Sequence, residues 1–306
     1  MKETMPRPLR VSALLFLLML NVSLGGQEGA GITGFIEWDR MELNAVINLD
    51  LRGRGFKLPA GRGKAETLLE DEYLSLIHPV LLGVQADSSA TVEDLIKRGE
   101  LSLQTADRLA LEARRVPPSL SPDLEAISGR YTLSLSGIAA ALIRHSRPRT
   151  IQGPLIPSPA RAYTGIIIIA DEEVPVHGRQ TKAFPKPCLF PKIWDSRMNL
   201  IYERDMTDPE LSSVNGMVRY ISRGAIMGAS PSGIDGSLIP LIGENPLRIM
   251  AGGVFGVEPT DPVISEEDAL IILSSESNRR LLREGRVAIV LNRESLKKPI
   301  APPRAR

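Results

Sequence analysis

Three consecutive carboxylates, Asp171, Glu172 and Glu173, follow a run of four isoleucines, and His177 comes shortly after them. Acidic and histidine side chains at the end of a buried strand are residue types that act as general acids and bases or ligate a metal ion. Adjacent residues of an extended chain point to alternate sides, however, so the carboxylates do not converge by themselves. A solvated charged loop is therefore the favoured interpretation, and a hydrolase that uses this loop is the alternative.

The segment 61–64, with the sequence GRGK, precedes a helical pattern, which is a position where backbone amides can bind phosphate. A P-loop requires Ser or Thr after its lysine, but Ala65 follows here, and Leu58 stands where its first glycine would be. The segment therefore predicts a helix start with two basic residues, without a nucleotide.

Cys188 is the one cysteine of the chain, so no disulfide can form within it. Its neighbours are prolines and large apolar residues, which predicts a buried and unreactive thiol. The three histidines, His78, His145 and His177, lack the paired spacing of a zinc site. We therefore predict no catalytic residue, no cofactor and no metal site.

Aromatic side chains are few, and four of them are concentrated between positions 184 and 202. Most of this group is expected in the core, but any exposed members form a candidate partner surface, because aromatics provide large contact area at low entropic cost. The four residues are Phe184, Phe190, Trp194 and Tyr202.

The first 26 residues have the order of a secretory signal peptide. Lys2, Arg7 and Arg10 precede an apolar run over residues 11–24, and Gly25 and Gly26 follow. The run spans roughly 21 Å as a helix, less than the ~30 Å hydrocarbon core of a bilayer. We predict a signal peptide over residues 1–25, cleavage near Gly25 or Gly26, and a periplasmic location; an uncleaved anchor is the alternative.

Removal of this leader changes the formal net charge from +1 to about −1. A near-neutral chain has no broad field that would attract nucleic acid, so no nucleic-acid partner is expected. No cysteine near the cleavage site is available for lipid attachment, so no stable membrane anchor is expected after cleavage. The basic, Pro-rich tail over residues 294–306 is expected to be a disordered end from Lys297 onward.

Apolar periodicity predicts elements on both sides of a Pro-rich linker at residues 148–159. In the first half we predict strands at 31–38 and 43–51 joined by a turn, a helix at 68–80 that ends or kinks near Pro79, a strand at 80–85, helices at 91–97 and 105–115, and a strand at 131–135, while residues 138–144 stay unassigned. In the second half we predict a central strand at 166–169, a hairpin of 188–194 with 199–202, a helix at 209–223 capped by Asp208, a strand at 247–250, a helix from Ser265 to about 277, and a strand at 286–291.

The second half also contains strings that resemble a known family. YTGI at 163–166, PCLFPKIWD at 187–195 and IY at 201–202 are similar to the TGLIIDARG…P-x-L-x-P-x-I-x-D…vY pattern of the flagellar assembly protein T family and its related small outer-membrane lipoproteins. ENPL at 244–247, ISEEDA at 264–269 and RVAIV at 286–290 resemble the closing segment of that family. The resemblance covers residues 160–292 well and the first half loosely.

This resemblance implies an exported, non-enzymatic α/β protein. Its relatives build or stabilise the periplasmic ring around the flagellar basal body, or lie as lipoproteins at the outer membrane. The chain departs from the pattern in two ways: a longer stretch, with residues 177–179 displaced from Ile169, replaces the A-R-G after the first strand, and the lipid-attachment cysteine is absent.

Together these observations predict an α/β (α+β) protein of two lobes, residues 30–147 and 160–293, each with mixed β-sheets packed against a few helices. The expected function is structural or assembly work in the cell envelope, with envelope or flagellar proteins as partners. Two alternatives remain open: a periplasmic hydrolase, and a ligand-binding module with a deep apolar pocket beside the linker.

Overall fold

The computed structural model describes residues 30–52, 54–56, 60–157, 159–228 and 232–300. The predicted signal peptide and residues 301–306 of the predicted tail lie outside these ranges. Within them the chain forms helices together with antiparallel, parallel and mixed sheets in two lobes, which confirms the predicted fold class.

The N-terminal lobe is a five-stranded antiparallel sheet covered by helices. Its elements are β1 Ala30–Glu37, β2 Glu42–Asp50, α1 Arg62–Leu82, α2 Val92–Lys97, α3 Leu103–Leu111, β3 Arg114–Leu120, β4 Ala126–Ser134 and α4 Leu135–Leu142. The strand order is β15-β1-β2-β4-β3, where β15 is contributed by the C-terminal end of the chain.

Alternation in the sequence explains this sheet. In β2 the residues Leu43, Ala45, Ile47 and Leu49 are all buried, and the residues between them, at positions 44, 46 and 48, lie on the less buried face. β4 alternates in the same way, and α1 covers the apolar face with a stripe of buried residues that includes Tyr73. The predicted hairpin of β1 and β2 and the predicted helix are thus confirmed.

The C-terminal lobe contains a parallel and a mixed sheet. Its elements are β5 Ile166–Ile169, β6 Val174–Pro175, β7 Lys182–Ala183, β8 Ile193–Asp195, β9 Leu200–Tyr202, α5 Pro209–Asn215, β10 Arg219–Ser222, α6 Ile239–Ile242, β11 Leu247–Met250, β12 Gly253–Phe255, β13 Asp261–Ile264, α7 Glu266–Ser274, α8 Glu276–Arg283, β14 Val287–Leu291, α9 Arg293–Leu296 and β15 Lys297–Pro299. The parallel sheet has the order β10-β14-β5-β11, the mixed sheet has the order β12-β13-β8-β9, and β6 pairs with β7.

The parallel sheet is buried on both faces, as its continuous apolar strands indicate. Ile167 and Val290 pack against α6 and the preceding loop in one apolar cluster, whereas Ile166, Ile168 and Ile289 belong to the larger core. The isoleucine run therefore occupies an interior strand, as predicted.

Several predicted boundaries are wrong, for local physical reasons. The strand predicted at 80–85 is absent because α1 continues past Pro79 to Leu82. The helix predicted at 209–223 ends at Asn215, since Gly216 adopts φ +76°, and residues 219–222 form β10. The helix predicted from Ser265 is interrupted at Ser275, whose backbone is extended.

Four further differences concern shorter segments. The helix predicted at 105–115 ends earlier, because residues 114–115 belong to β3, and the unassigned residues 138–144 are helical over 138–142. The strand predicted at 131–135 is part of the longer β4, and of the strand predicted at 188–194 only residues 193–194 are extended, in β8.

The C-terminal tail is the largest correction. Disorder was predicted from Lys297 onward, but Lys297–Pro299 pair with β1 in the N-terminal lobe, with Ile36 opposite Lys298. Leu296 and Ile300 are buried on either side of this strand and anchor it in the core. Basic side chains and a proline are typical of an edge strand, which explains why the composition resembled a disordered end.

The lobes share one continuous apolar core. Trp38 packs edge-on against Tyr220 with ring centroids 6.0 Å apart. The backbone N–H of Phe190 donates to the carbonyl of Ala86 at 2.8 Å. Polar and aromatic contacts therefore fix the position of one lobe against the other.

Candidate partner-binding cleft

The three carboxylates at the end of β5 do not converge on a catalytic site. Arg223 donates to both oxygens of Asp171, at 2.6 Å for the Nη2 contact, and lies 3.4 Å from Glu172. This guanidinium lowers the pKa of Asp171, whereas a general acid needs a raised pKa. Glu172 extends into solvent, so the acidic group is a charged loop held by one arginine.

Cys188 is buried as predicted, and its position is structural. Burial in the apolar core raises the pKa of its thiol, which keeps the reactive thiolate from forming. Its backbone carbonyl accepts a hydrogen bond from the Tyr220 hydroxyl at 2.9 Å. Neither nucleophilic catalysis nor thiol modification is favoured at this site.

The four aromatic residues do not form one surface. Phe190 and Tyr202 are 5% and 0% exposed, so they belong to the core and the partner-surface interpretation is wrong for both. Trp194 is half-buried and its Nε1 lies 3.4 Å from Asp261, while Phe184 is exposed. The GRGK segment begins α1, where Arg62 pairs with Glu66, as the simpler interpretation predicts.

A cleft of about 770 Å³ lies beside the predicted linker. Residues 149–154 form one wall, the β8–β9 hairpin forms another, and α7 forms the third. The apolar residues along it are Ile151, Leu200, Ile201, Met206, Ala269, Leu270 and Leu273.

The charges around this cleft are already engaged. Asp195 is buried and accepts hydrogen bonds from Arg197 N, Asn199 N and Asn199 Nδ2, so its carboxylate holds the hairpin turn. Glu266 pairs with Arg197 at 2.9 Å. Because these acids have partners, the cleft offers apolar contact rather than acid or base chemistry.

The chain beside the cleft carries two exposed apolar residues that the sequence prediction missed. Leu155 and Ile156 are 103% and 85% exposed, between Pro154 and Pro157. Over residues 150–157 no backbone hydrogen bond to another described backbone group forms. The sequence did contain a signal: two prolines three positions apart disfavour both a regular helix and a central strand, so the apolar pair between them was not expected to be buried in either.

The described residues contain neither a candidate metal cluster nor a candidate membrane-spanning helix. Across residues 30–300, apart from the undescribed gaps, no cluster of three metal-ligating side chains occurs. In the same ranges no helix combines the length and apolarity that a bilayer span needs.

Comparison with known proteins divides the chain into two parts that correspond to the two lobes. Residues 30–141 match a family model described as the N-terminal domain of Treponema pallidum Tp0624, and residues 165–293 match the model of its second domain. No curated protein matches the chain. Neither description bears on the resemblance to the flagellar assembly protein T family, which stays a prediction. Lobe by lobe and in the same order, the chain is similar to two domains of Tp0624.

Proposed function

We propose that this chain is an exported, non-enzymatic protein of the cell envelope that works in assembly through surface contacts. The observation that carries the proposal is the exposed pair Leu155 and Ile156 beside an apolar cleft. Exposed apolar residues next to a groove are typical of contact surfaces, because their burial by a partner stabilises the complex.

The state of the acidic loop supports this proposal over a hydrolase. A hydrolase at Asp171 requires a carboxylate with a raised pKa in a cleft, but Arg223 lowers that pKa and Asp171 does not line the cleft beside residues 149–154. Residues 150–157 form no backbone hydrogen bond with another described backbone group, so their carbonyl groups and the N–H groups of the non-proline residues are available to a partner's backbone.

Photo-crosslinking in cells tests the proposal. A photoreactive residue at position 155 is expected to capture a defined envelope protein, and the same residue at Val257, which is 69% exposed elsewhere, is the matched control. The double change Leu155→Ser and Ile156→Ser should abolish assembly of the complex with that envelope protein. It should leave the thermal stability of the chain unchanged, because both side chains are exposed. Equal capture at both positions, or a mature protein retained in the cytoplasm, would contradict the proposal.

The flagellar association is a finer part of the proposal and rests on the resemblance at residues 160–292. Deletion of the gene, followed by imaging of basal bodies, is its test. Incomplete periplasmic rings and impaired motility are expected, and normal rings with normal motility would exclude a flagellar role.

A ligand-binding module is the second candidate, because the cleft beside residues 149–154 has the volume of a small-molecule site. A small molecule that binds there should protect the segment from proteolysis between Leu155 and Ile156. If protection requires a macromolecule instead, the assembly role is favoured.

A further inference from the structure

A second pocket, of about 410 Å³, lies between the two lobes. Ile36, Trp38 and Lys298 contribute from the sheet of the N-terminal lobe, and Phe184 and Lys186 contribute from the C-terminal lobe. It shares no lining residue with the cleft beside residues 149–154.

Trp38, which lines this pocket, has an unused hydrogen-bond donor. Its side chain is 2% exposed, and its Nε1 has no hydrogen-bond partner among the described residues. A buried donor without a partner destabilises the folded state, and buried donors in folded proteins are nearly always paired. Tyr131 Oη also forms no hydrogen bond with a described residue, and His78 Nε2 forms none although it lies 3.4 Å from Asp107 Oδ1, but neither residue lines this pocket.

Two further donors line the same pocket. Lys298 forms no ion pair with a described carboxylate, whereas Lys186 is already paired with Glu258 at 2.9 Å. Asn292 accepts a hydrogen bond from Ser295 N through Oδ1, and no described group accepts from its Nδ2. A cation and two neutral donors without partners favour a ligand that bears hydrogen-bond acceptors and a negative charge.

The remaining lining limits the size of that charge. Glu258 and Glu294 also line the pocket, so a multiply charged anion such as phosphate would be repelled. Apolar surface comes from Ile36, Val84, Phe184 and Pro187 in addition to the indole ring. Such a lining suits a ligand with one charged end and an apolar body.

We propose that this pocket binds a small organic monocarboxylate with an apolar body. The carboxylate accepts hydrogen bonds from Trp38 Nε1 and Asn292 Nδ2 and pairs with Lys298, while the apolar body contacts Phe184 and Val84. This pocket is separate from the cleft beside residues 149–154, so the proposal depends neither on the assembly role nor on ligand binding in that cleft.

Fluorescence of Trp38 is the direct test. Trp194 is the second of the two tryptophans, so Trp194→Phe in the full chain leaves Trp38 as the reporter. Titration with 4-phenylbutyrate should change the Trp38 emission saturably, and 4-phenylbutyramide, which has nearly the same shape without the charge, should bind at least about tenfold more weakly. Equal binding of acid and amide, or no saturable change with either, would overturn the proposal.

Two lysines of β15 give a matched pair of variants. Lys298→Met should weaken 4-phenylbutyrate about tenfold, whereas Lys297→Met should leave the affinity unchanged, because Lys297 pairs with Glu37 and lies over the ring of Phe35. Equal effects of both changes would indicate non-specific attraction and would reject the site.

Trp38→Phe, measured by calorimetry, tests the donor itself. A loss of affinity of about tenfold is expected, measured well below the melting temperature of the variant, because the smaller ring leaves space in the core and lowers thermal stability. If the variant does not fold, the Lys298→Met comparison still decides. Binding is measured on purified protein and assembly in cells, so failure of one proposal is distinguishable from failure of the other.

Discussion

Residues 143–165 run from the N-terminal lobe to the C-terminal lobe, and residues 292–300 run back. Over residues 150–157 the outward connection forms no backbone hydrogen bond within the described part of the chain, and it exposes Leu155 and Ile156. The returning connection is hydrogen-bonded to β1 and buries Leu296 and Ile300. The C-terminal strand β15 therefore holds the two lobes together, whereas the apolar side chains of the Pro-rich segment are accessible for contacts.

The largest expected difference between the connections comes from their leucines. Leu296→Ala should lower the free energy of unfolding by about 2–5 kcal/mol, because it leaves a cavity in the core. Leu155→Ala should change it by less than about 0.5 kcal/mol, because that side chain is fully exposed. Urea unfolding of both variants measures the difference. Similar losses would show that the outward connection is also structural.

Two glycines, one in the outward connection and one beside the returning connection, provide a second pair of substitutions. Gly34 has φ +148° and accepts a hydrogen bond from Ile300 N; a Cβ there would lie 2.0 Å from the carbonyl oxygen of Asn44. Gly34→Ala should therefore cost about 1–3 kcal/mol. A Cβ at Gly153 would meet Arg279 Nη1 at 2.8 Å, at the movable end of a side chain, so Gly153→Ala should cost less than about 1 kcal/mol. Thermal unfolding with far-UV circular dichroism compares the two, and the reverse order would contradict the comparison.

Ion pairs allow a finer test of what joins the lobes. Arg204 Nη2 lies 3.0 Å from Glu100 Oε2 across the lobe boundary, with both side chains about one third exposed or less. Glu100→Gln should lower stability by about 0.5–1 kcal/mol, and the loss should shrink in high salt. Glu266→Gln is the control, since its partner Arg197 is 70% exposed and a negligible change is expected. A larger effect of the control would point to the cleft as the stabilising region.

Asp171 belongs to neither connection, and its ion pair with Arg223 gives a reference value for the effect of a single ion pair on stability. Its pKa is lowered by Arg223, so its stabilising contribution is present above the ordinary aspartate pKa and is lost as pH falls through the lower folded-state value. Asp171→Asn should cost about 1 kcal/mol or less at pH 7 and should have no effect once the wild-type carboxylate is protonated. Denaturation at pH 7 and in acid measures this, and a cost that grows in acid would contradict the assignment.

The strongest sequence patterns were sufficient to predict the interior of each lobe. In β2 the alternation favours one arrangement, because a shift by one residue would expose Leu43, Ile47 and Leu49. The isoleucine run of β5 predicts an interior strand, because both of its faces are apolar. The helix start at Ser265 was predicted from its cap, and its side chain does accept from Asp268 N. These features are local, so a single sequence contains them.

Long-range pairing is what the sequence could not supply. Nothing near Lys297 indicates that its partner strand lies more than 250 positions earlier, and two lysines with a proline are equally typical of a loose end. The cleft and the pocket of Trp38 combine residues from distant elements, so their existence depends on how the lobes pack. Exposed apolar residues and orphan donors appear only once burial is known.

The pairing of β15 with β1 also has a consequence for how this protein is made. The ribosome produces β1 more than 250 residues before it produces β15, so the edge of β1 stays without its neighbour while all of the intervening chain is made. Contacts so distant in sequence form slowly. A nascent chain of this kind therefore lacks one strand of its N-terminal sheet until β15 has been made, however early the other four strands pair.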